Sequence, residues 1–430
     1  MSRTMKDSGI PWIGEIPEGW KVKRLKQESV FINGFAFDSE DFKVDEGVRV
    51  IRIGDIGLRA DFESCVRAIT NPYILTPYRI ENGDILIAMS GATTGKCCIV
   101  DEVKEAYINQ RVGIIRSNLC KIIYYSLQTP YFMEFVNLNN AGSAQPNISS
   151  KAIGEFPILL PPLAEQHLIA AFLDKKCSEI DSLIELQEQM IEELKAYKQS
   201  VITEAVTKGL NPAAPMRDSG IEWIGQIPEH WIYTKLKHLC SFHNGDRSKN
   251  YPCPDEFVDK GVPFYGADSL NDFIANVNYA RFITEEKYNL MGGLKIIEGD
   301  ILYTLRGSTG KNAIVQQPNG TTASSLMGIR RKDALTNAMY LLYWLHSQNE
   351  YIQRDICING VAAPNLSAED VKEFMLFLPP ISEQQAIADY LDRKCGEIDE
   401  LITIKQQKID SLKEYKKSVI YEYVTGKREV

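Results

Sequence analysis

The sequence predicts an α+β protein in which two globular modules are held apart by two long antiparallel coiled-coil helices, related by a pseudo-two-fold axis. Three observations predict it. The 430-residue chain is written twice, each copy closes on a long run of apolar residues at helical spacing, and the stretch before each run alternates and turns as hairpins do. The copies are offset by 211 residues at their start. That is far too long for the single supersecondary unit of a solenoid, so a whole domain with its connector is duplicated.

Each copy opens on a tryptophan-rich segment. SGIPWIGEIPEGW at residues 8–20 returns as SGIEWIGQIPEHW at 219–231, with ten of thirteen residues identical. Further on, GDILIAMSGATTGKCCIV (83–100) and GDILYTLRGSTGKNAIV (299–315) alternate, turn through Gly, Ser and Thr, and alternate again. That pattern is a strand–loop–strand. Apolar helical stretches follow at 122–136 and 338–352, then Ser-capped turns within QPNISS (145–150) and APNLSAED (363–370). A last apolar strand runs into a Pro-Pro pair. Residues 38–80 and 249–296, by contrast, show almost no likeness to each other. Each copy is therefore a variable module followed by a retained segment.

The retained segments, 161–207 and 379–425, align without a gap and share 27 of 47 residues. In the first, Ile169, Leu173, Cys177, Ile180, Ile184, Ile191, Leu194, Val201 and Ala205 fall on three- and four-residue steps. In the second, Ile387, Leu391, Cys395, Ile398, Ile402, Ile409, Leu412 and Val419 match them. This is a narrow coiled-coil seam, interrupted by Gln187 with Lys405 and by Lys198 with Lys416. The charged opposite faces favour two helices packed mainly on each other over helices inside a globular bundle. Pro161-Pro162 and Pro379-Pro380 precede the helices, and Gly209 and Gly426 stand near their ends. At about 1.5 Å per residue each helix spans roughly 60 to 70 Å. Alone it would be marginal, and the partner seam stabilises it.

Gly209, Pro212 and Pro215 stop the first helix and start the second copy. The two ends of the chain look like this same junction cut open, so they should lie close in space. The expected divisions are 1–160 and 211–378 for the modules, and 161–210 and 379–430 for the helical segments.

Composition excludes several classes. At 44% hydrophobic and 24% charged residues the chain is ordinary globular protein, not a disordered one. No run approaches eighteen apolar residues, which argues against a membrane helix, and the N-terminus lacks the apolar core of a secretory signal. Nine cysteines without a CxxC pair suit a reducing compartment, so a cytoplasmic protein is expected.

Motifs that look like chemistry mostly fail on inspection. GATTGK and GSTGK are too short for a phosphate loop, Ser or Thr does not follow Lys96 or Lys311, and a strand comes next. What remains is a basic, hydroxyl-rich hairpin tip, suited to a DNA backbone or base edge, though a plain solvated turn would look the same. Asn71 to Tyr73 lacks the second proline of an amino-methyltransferase tetrapeptide, and no glycine-rich cofactor loop precedes it. Pro254-Asp255 belongs to no convincing nuclease set, and His238, Cys240, His243 and Cys253 lack zinc-finger spacing. Cys97, Cys98, Cys177 and Cys395 read as small buried hydrophobes. No catalytic constellation and no cofactor site emerges.

The net charge of −9 distributes as −1 over 1–160, −4 over 161–210, −3 over 211–378 and −1 over 379–430. Neither module is basic overall, so DNA contact must come from local groups: Lys21, Lys23, Arg24 and Lys26; Arg49 and Arg52; Arg247 and Lys249; Arg330, Arg331 and Lys332. A weakly basic reader works when a partner supplies most phosphate contacts. Poor DNA binding by the isolated chain is expected.

Two variable modules, each opened by WIG-x-IP-E-x-W (Trp12 to Trp20, Trp223 to Trp231) and closed by PP-x-x-EQ with a helix carrying S-V-I, resemble the specificity subunit of type I restriction–modification systems. The resemblance covers essentially the whole chain. It implies two target-recognition domains, each reading half of a bipartite double-stranded DNA site across an unread gap. It also implies that the helices act as a ruler and dock two methyltransferase subunits, with motor–nuclease subunits outside. S-adenosylmethionine, ATP and Mg²⁺ would then belong to those partners, and this chain would be non-catalytic, cofactor-free and unattached to any membrane.

Base-contacting residues do not carry over from the family, so the candidates are positional. They are Arg49, Arg52, Ser90, Thr93, Thr94, Lys96 and Arg111 in the first module, and Arg247, Lys249, Arg306, Ser308, Thr309, Lys311 and Arg330 in the second. Arg and Lys suit guanine edges and phosphates, and Ser or Thr can serve either. Two other readings meet obstacles in the sequence. A chain that itself methylates or cuts DNA needs a cofactor loop or carboxylate set, and a coiled-coil scaffold would not need two divergent modules.

Overall fold

Buried, β-branched segments between glycine turns make the sheets that carry each module. The computed structural model describes residues 3–43, 46–140, 146–271, 273–317, 319–358 and 365–430. The chain forms two units, Met1–Glu188 with Gln407–Val430, and Gln189–Gln406.

In the first unit an antiparallel sheet runs Val30–Asn33, Val112–Arg116, Ile85–Ala88, Cys97–Ile99. Its central strand, ILIA, is buried along its whole length because both faces are covered. On one side Leu86, Ala88, Cys98 and Ile114 pack with Ile51 and Ile108. These last two come from a second sheet, ordered Ala106–Ile108, Val48–Ile51, Arg67–Ala68, Phe42–Lys43, whose first pair is parallel. On the other side Ile85, Ile87 and Ile115 meet the helices Cys120–Leu127 and Pro130–Asn139.

The second unit repeats this arrangement. One sheet runs Cys240–Asn244, Leu326–Arg331, Ile301–Thr304, Asn312–Ile314, and another runs Phe257–Val258, Arg281–Ile283, Val262–Tyr265, Thr321–Thr322, its last pair parallel. The strand–loop–strand reading is met in both copies. Each expected apolar helical stretch is instead two helices. The first breaks where Pro130, without an N–H, starts a new helix, and the second breaks before Ser347. The serine caps form as expected: Ser149 Oγ accepts from the Ala152 amide at 3.1 Å and Ser367 Oγ from Asp370 at 3.0 Å. Gln145 and residues 363–364 of those turns lie outside the described residues.

The retained segments are the helices Leu163–Lys208 and Ile381–Val424. In the first unit Ile169, Leu173 and Cys177 share a core with Val419, Ile420 and Tyr423. In the second, Val201, Ile202 and Ala205 share one with Ile387, Leu391 and Cys395. Within each unit the two segments therefore run antiparallel. Every residue of the predicted seam is buried or half-buried. Two of the polar interruptions also have partners: Lys416 Nζ meets Asp181 at 2.7 Å in the first unit and Lys198 Nζ meets Asp399 at 2.6 Å in the second. Cys177 and Cys395 are buried thiols whose pKa burial raises to about 11.

The repeated tryptophan and Glu-Gln motifs meet each other. Trp20 Nε1 donates to Glu165 at 3.0 Å, and Trp231 Nε1 donates to Glu383 at 3.2 Å. Gln166 and Gln384 donate to the carbonyls of Pro161 and Pro379, at 2.7 and 2.9 Å, tying down the start of each helix. Both motifs are thus explained by anchoring. In the first unit Arg3 meets Glu165 at 2.6 Å and Glu429 at 3.8 Å, which brings residues near the two ends of the chain together.

One half-buried titratable group, His346, is expected to make the second unit acid-sensitive. The His346 ring packs tilted against Phe273, with centroids 4.3 Å apart, and its Nε2 lies 3.2 Å from the Asn312 carbonyl. Burial holds its pKa down to about 4. The fold needs the neutral ring, so its stabilisation is complete above the ordinary value of 6.5 and is lost as pH falls towards 4. The difference is at most about 3 kcal/mol, since the ring is half-buried and partly screened by solvent. Thermal melts of the wild type and His346→Gln should diverge between pH 6.5 and 4, with the wild type falling faster; parallel melts would place the ring in solvent.

Candidate nucleic-acid interface

Each module carries one hairpin tip held in a fixed shape by its own backbone. In the first unit the Gly95 amide donates to the Ala88 carbonyl at 2.8 Å and Lys96 to Thr93 at 2.9 Å. A second segment pins the tip from the side: Gly91 N donates to the Pro146 carbonyl at 2.9 Å, and Ser90 bridges Asn147. In the second unit Gly310 N donates to Thr304 at 3.0 Å, Leu366 N donates to Leu305 at 2.9 Å, and Arg306 bridges Asn365.

Around the first tip the structure gathers Arg52, Ser90, Thr93, Lys96 and Arg111. The turn after Arg52 brings Ile53 against Gly91, and the Arg111 carbonyl accepts from the Met89 amide at 2.9 Å. Arg52, Lys96 and Arg111 are exposed, while Ser90 and Thr93 are half-buried with shielded hydroxyls. Around the second tip it gathers Arg306, Ser308, Thr309 and Lys311, with Lys311 Nζ on Asn271 at 2.9 Å. Arg247 donates to the Ser324 carbonyl at 3.1 Å, and the neighbouring Ser325 carbonyl accepts from Leu305 at 2.8 Å, so Arg247 belongs to the same patch. Arg49, half-buried opposite Arg67 in the second sheet, and the exposed Lys249 have no described contact with a tip.

Two candidates have other duties. Thr94 is buried, and its hydroxyl is spent on the Gly91 and Pro146 carbonyls at 2.7 and 3.2 Å, inside the tip. Arg330 grips the fully buried Asp300 with Nε and Nη2, both at 2.8 Å, and donates to the Lys295 carbonyl. The Asp300 carboxylate raises the Arg330 pKa further. Arg116 does the same for Asp84 in the first unit, at 2.7 and 2.8 Å. The repeated Gly-Asp before each central strand is therefore a structural anchor, and the Arg330 guanidinium is committed to it.

Sequence reasoning missed Asn147 and Asn365. Both are exposed beside the tips, and a side-chain amide can pair with the N6/N7 edge of adenine. The signal was there, in the repeated Asn-x-Ser at 147–149 and 365–367, but the serine cap alone accounted for it. The loose histidine and cysteine group is dispersed in use: Cys240 is buried, Ser241 bonds His243 at 3.0 Å, and Cys253 is exposed. Among the described residues no helix is long and apolar enough to cross a membrane.

Comparison with known proteins points one way. The family model for the type I restriction modification DNA specificity domain matches residues 17–196 and 228–414, once in each copy. The chain is 28% identical to the type I restriction enzyme EcoBI specificity subunit of Escherichia coli, over 90% of this chain and 81% of that one. It is 26% identical to the MjaVIII specificity subunit of Methanocaldococcus jannaschii, over 96% and 94%. Its fold is similar to a solved chain from work on complex assembly and conformational transition of the type I R-M system. That match has a TM-score of 0.71 and 17% identity, over 96% of this chain and 99% of that chain.

Proposed function

The chain belongs to the type I restriction–modification DNA specificity family, and we propose that it is the sequence-reading subunit of such a complex. Each module, 1–160 and 211–378, reads one half of a bipartite, gapped site in double-stranded DNA. The helical segments, 161–210 and 379–430, space the readers about a pseudo-two-fold axis and dock two methyltransferase subunits, with motor–nuclease subunits outside these. S-adenosylmethionine, ATP and Mg²⁺ belong to the partners.

The observation that carries the reading is the duplicated tip. Both units bring Arg, Lys and Asn around the same hairpin, with Arg52, Lys96, Arg111 and Asn147 in the first and Arg247, Arg306, Lys311 and Asn365 in the second, while the surrounding sequence differs, which suits two readers of different half-sites. The modest charge of each module fits a reader whose partners supply phosphate contacts. Mapping methylated positions in a host carrying this chain with its methyltransferase partner tests it: a gapped two-part motif is expected, and a single continuous motif, or none, sinks it. Arg306→Ala should relax one half-site by about 1–3 kcal/mol and spare the other. Unchanged methylation specificity would remove Arg306 from the interface.

A further inference from the structure

The two modules support their tips with opposite chemistry at the same three positions. In the first unit these are Ile87 on the central strand and Phe132 and Val136 on the helix Pro130–Asn139, all buried and apolar. Gly95 of the tip rests against Val136 and its neighbour Met133. The repeat places Tyr303, Glu350 and Arg354 at the matching sites of the second unit. Tyr303 Oη donates to Glu350 Oε1, and Arg354 Nε donates to the same oxygen at 3.0 Å. Tyr303 is fully buried, Glu350 is 3% exposed, and Arg354 is largely covered.

The guanidinium lies directly under the tip. Gly310 has φ +87°, and a Cβ there would collide with the Arg354 side chain, so the backbone sits on the cation with no side chain between them. The first unit shows that the fold packs well with an apolar set at these positions. Burial lifts the Glu350 carboxyl to about 7 even with Arg354 beside it, so the polar set is kept against a desolvation cost. What it adds is directional contact: the guanidinium is held by a hydrogen bond to the buried carboxylate and lies 5.0 Å from the centre of the Tyr351 ring, whereas Val136 and Met133 offer the first tip apolar contact alone.

We propose that Arg354, fixed by Glu350 and Tyr303, is a positioning residue that locks the 306–311 tip and thereby sets base discrimination in the half-site read by the second module. This rests on the reader assignment above. The test replaces the polar set by the first module's own residues, in the triple variant Tyr303→Ile, Glu350→Phe, Arg354→Val, co-expressed with the methyltransferase partner. Methylated sites are mapped with the two half-sites scored separately, and a thermal melt checks folding. Discrimination in one half-site should fall about tenfold and the other should be unchanged. A purely structural role would lower the melting temperature and leave the pattern of accepted bases alone.

Unchanged stringency in a folded triple variant overturns the proposal. If the triple variant does not fold, Arg354→Met, in which Glu350 keeps Tyr303 as its donor, gives the same readout with the same two outcomes. Arg306→Ala runs alongside. If it relaxes the half-site while the Arg354 variants do not, only the positioning role falls; if neither changes anything, the reader assignment of the tip falls and takes the positioning role with it.

Discussion

Arg330→Ala is expected to destabilise the second unit by about 3–5 kcal/mol, because it leaves the buried carboxylate of Asp300 without its counter-charge and with the Ile297 amide, at 2.9 Å, as its remaining described partner. Asp300 is fully buried and both of its oxygens are engaged by the arginine. Arg116→Ala should do the same to the first unit through Asp84, which is 1% exposed. An exposed DNA-contacting arginine would give a very different result, with stability near wild type and altered binding. Denaturant unfolding followed in each variant distinguishes them, and a loss below about 1 kcal/mol would show that the pair is effectively solvated. The double variant Asp300→Asn, Arg330→Met should recover much of the loss, since no charge is then left buried.

That pair marks the limit of what the sequence could disclose about the site. A charge next to an apolar strand reads the same whether it points to solvent or folds back onto a buried acid. So Arg330 looked like a DNA contact, Arg116 was passed over, and Thr94 was credited with a hydroxyl that the tip itself consumes. The tips were legible because glycine-bounded turns between alternating strands have few conformations. Asn147 and Asn365 were not, because their place beside the tips depends on a bridge between distant segments.

The fold was more legible where chemistry repeats than where only geometry does. The seam was visible because helical packing demands apolar residues on a fixed period, and Trp20 with Glu165 was visible as two retained motifs, though not as a contact. The second sheet was not. Residues 38–80 and 249–296 have almost no identity, yet both fold into three short strands in the same order, each joined at the edge by a parallel strand from further along the chain, Ala106–Ile108 or Thr321–Thr322. A strand needs alternation and a partner, and many sequences satisfy both.

The second module should be replaceable by a copy of the first, and the hybrid should read the first half-site twice. Each module leaves and rejoins the retained framework through one antiparallel pair: Lys21–Arg24 with Pro157–Leu160, and Ile232–Lys235 with Met375–Leu378. The register is the same, Lys21 opposite Leu160 and Ile232 opposite Leu378. Just inside, Leu25 N donates to Phe156 O at 2.9 Å and Leu236 N to Phe374 O at 3.0 Å. Docking onto the long helix is also repeated, with Tyr125 on Asp174 at 2.8 Å and Tyr343 on Asp392 at 2.7 Å. Replacing 236–374 by a second copy of 25–156 therefore preserves the clamp strands and this tyrosine–aspartate contact. It sacrifices the bond from Asn349 to the Thr207 hydroxyl at 2.8 Å, because Tyr131 takes that position, and the contact of Lys198 with Phe273. If the pseudo-two-fold holds, the methylated motif of the hybrid becomes two inverted copies of one half-site around a gap. An unchanged asymmetric motif would mean that the bases are read from outside the grafted residues, and the assignment of one half-site to each module would be lost.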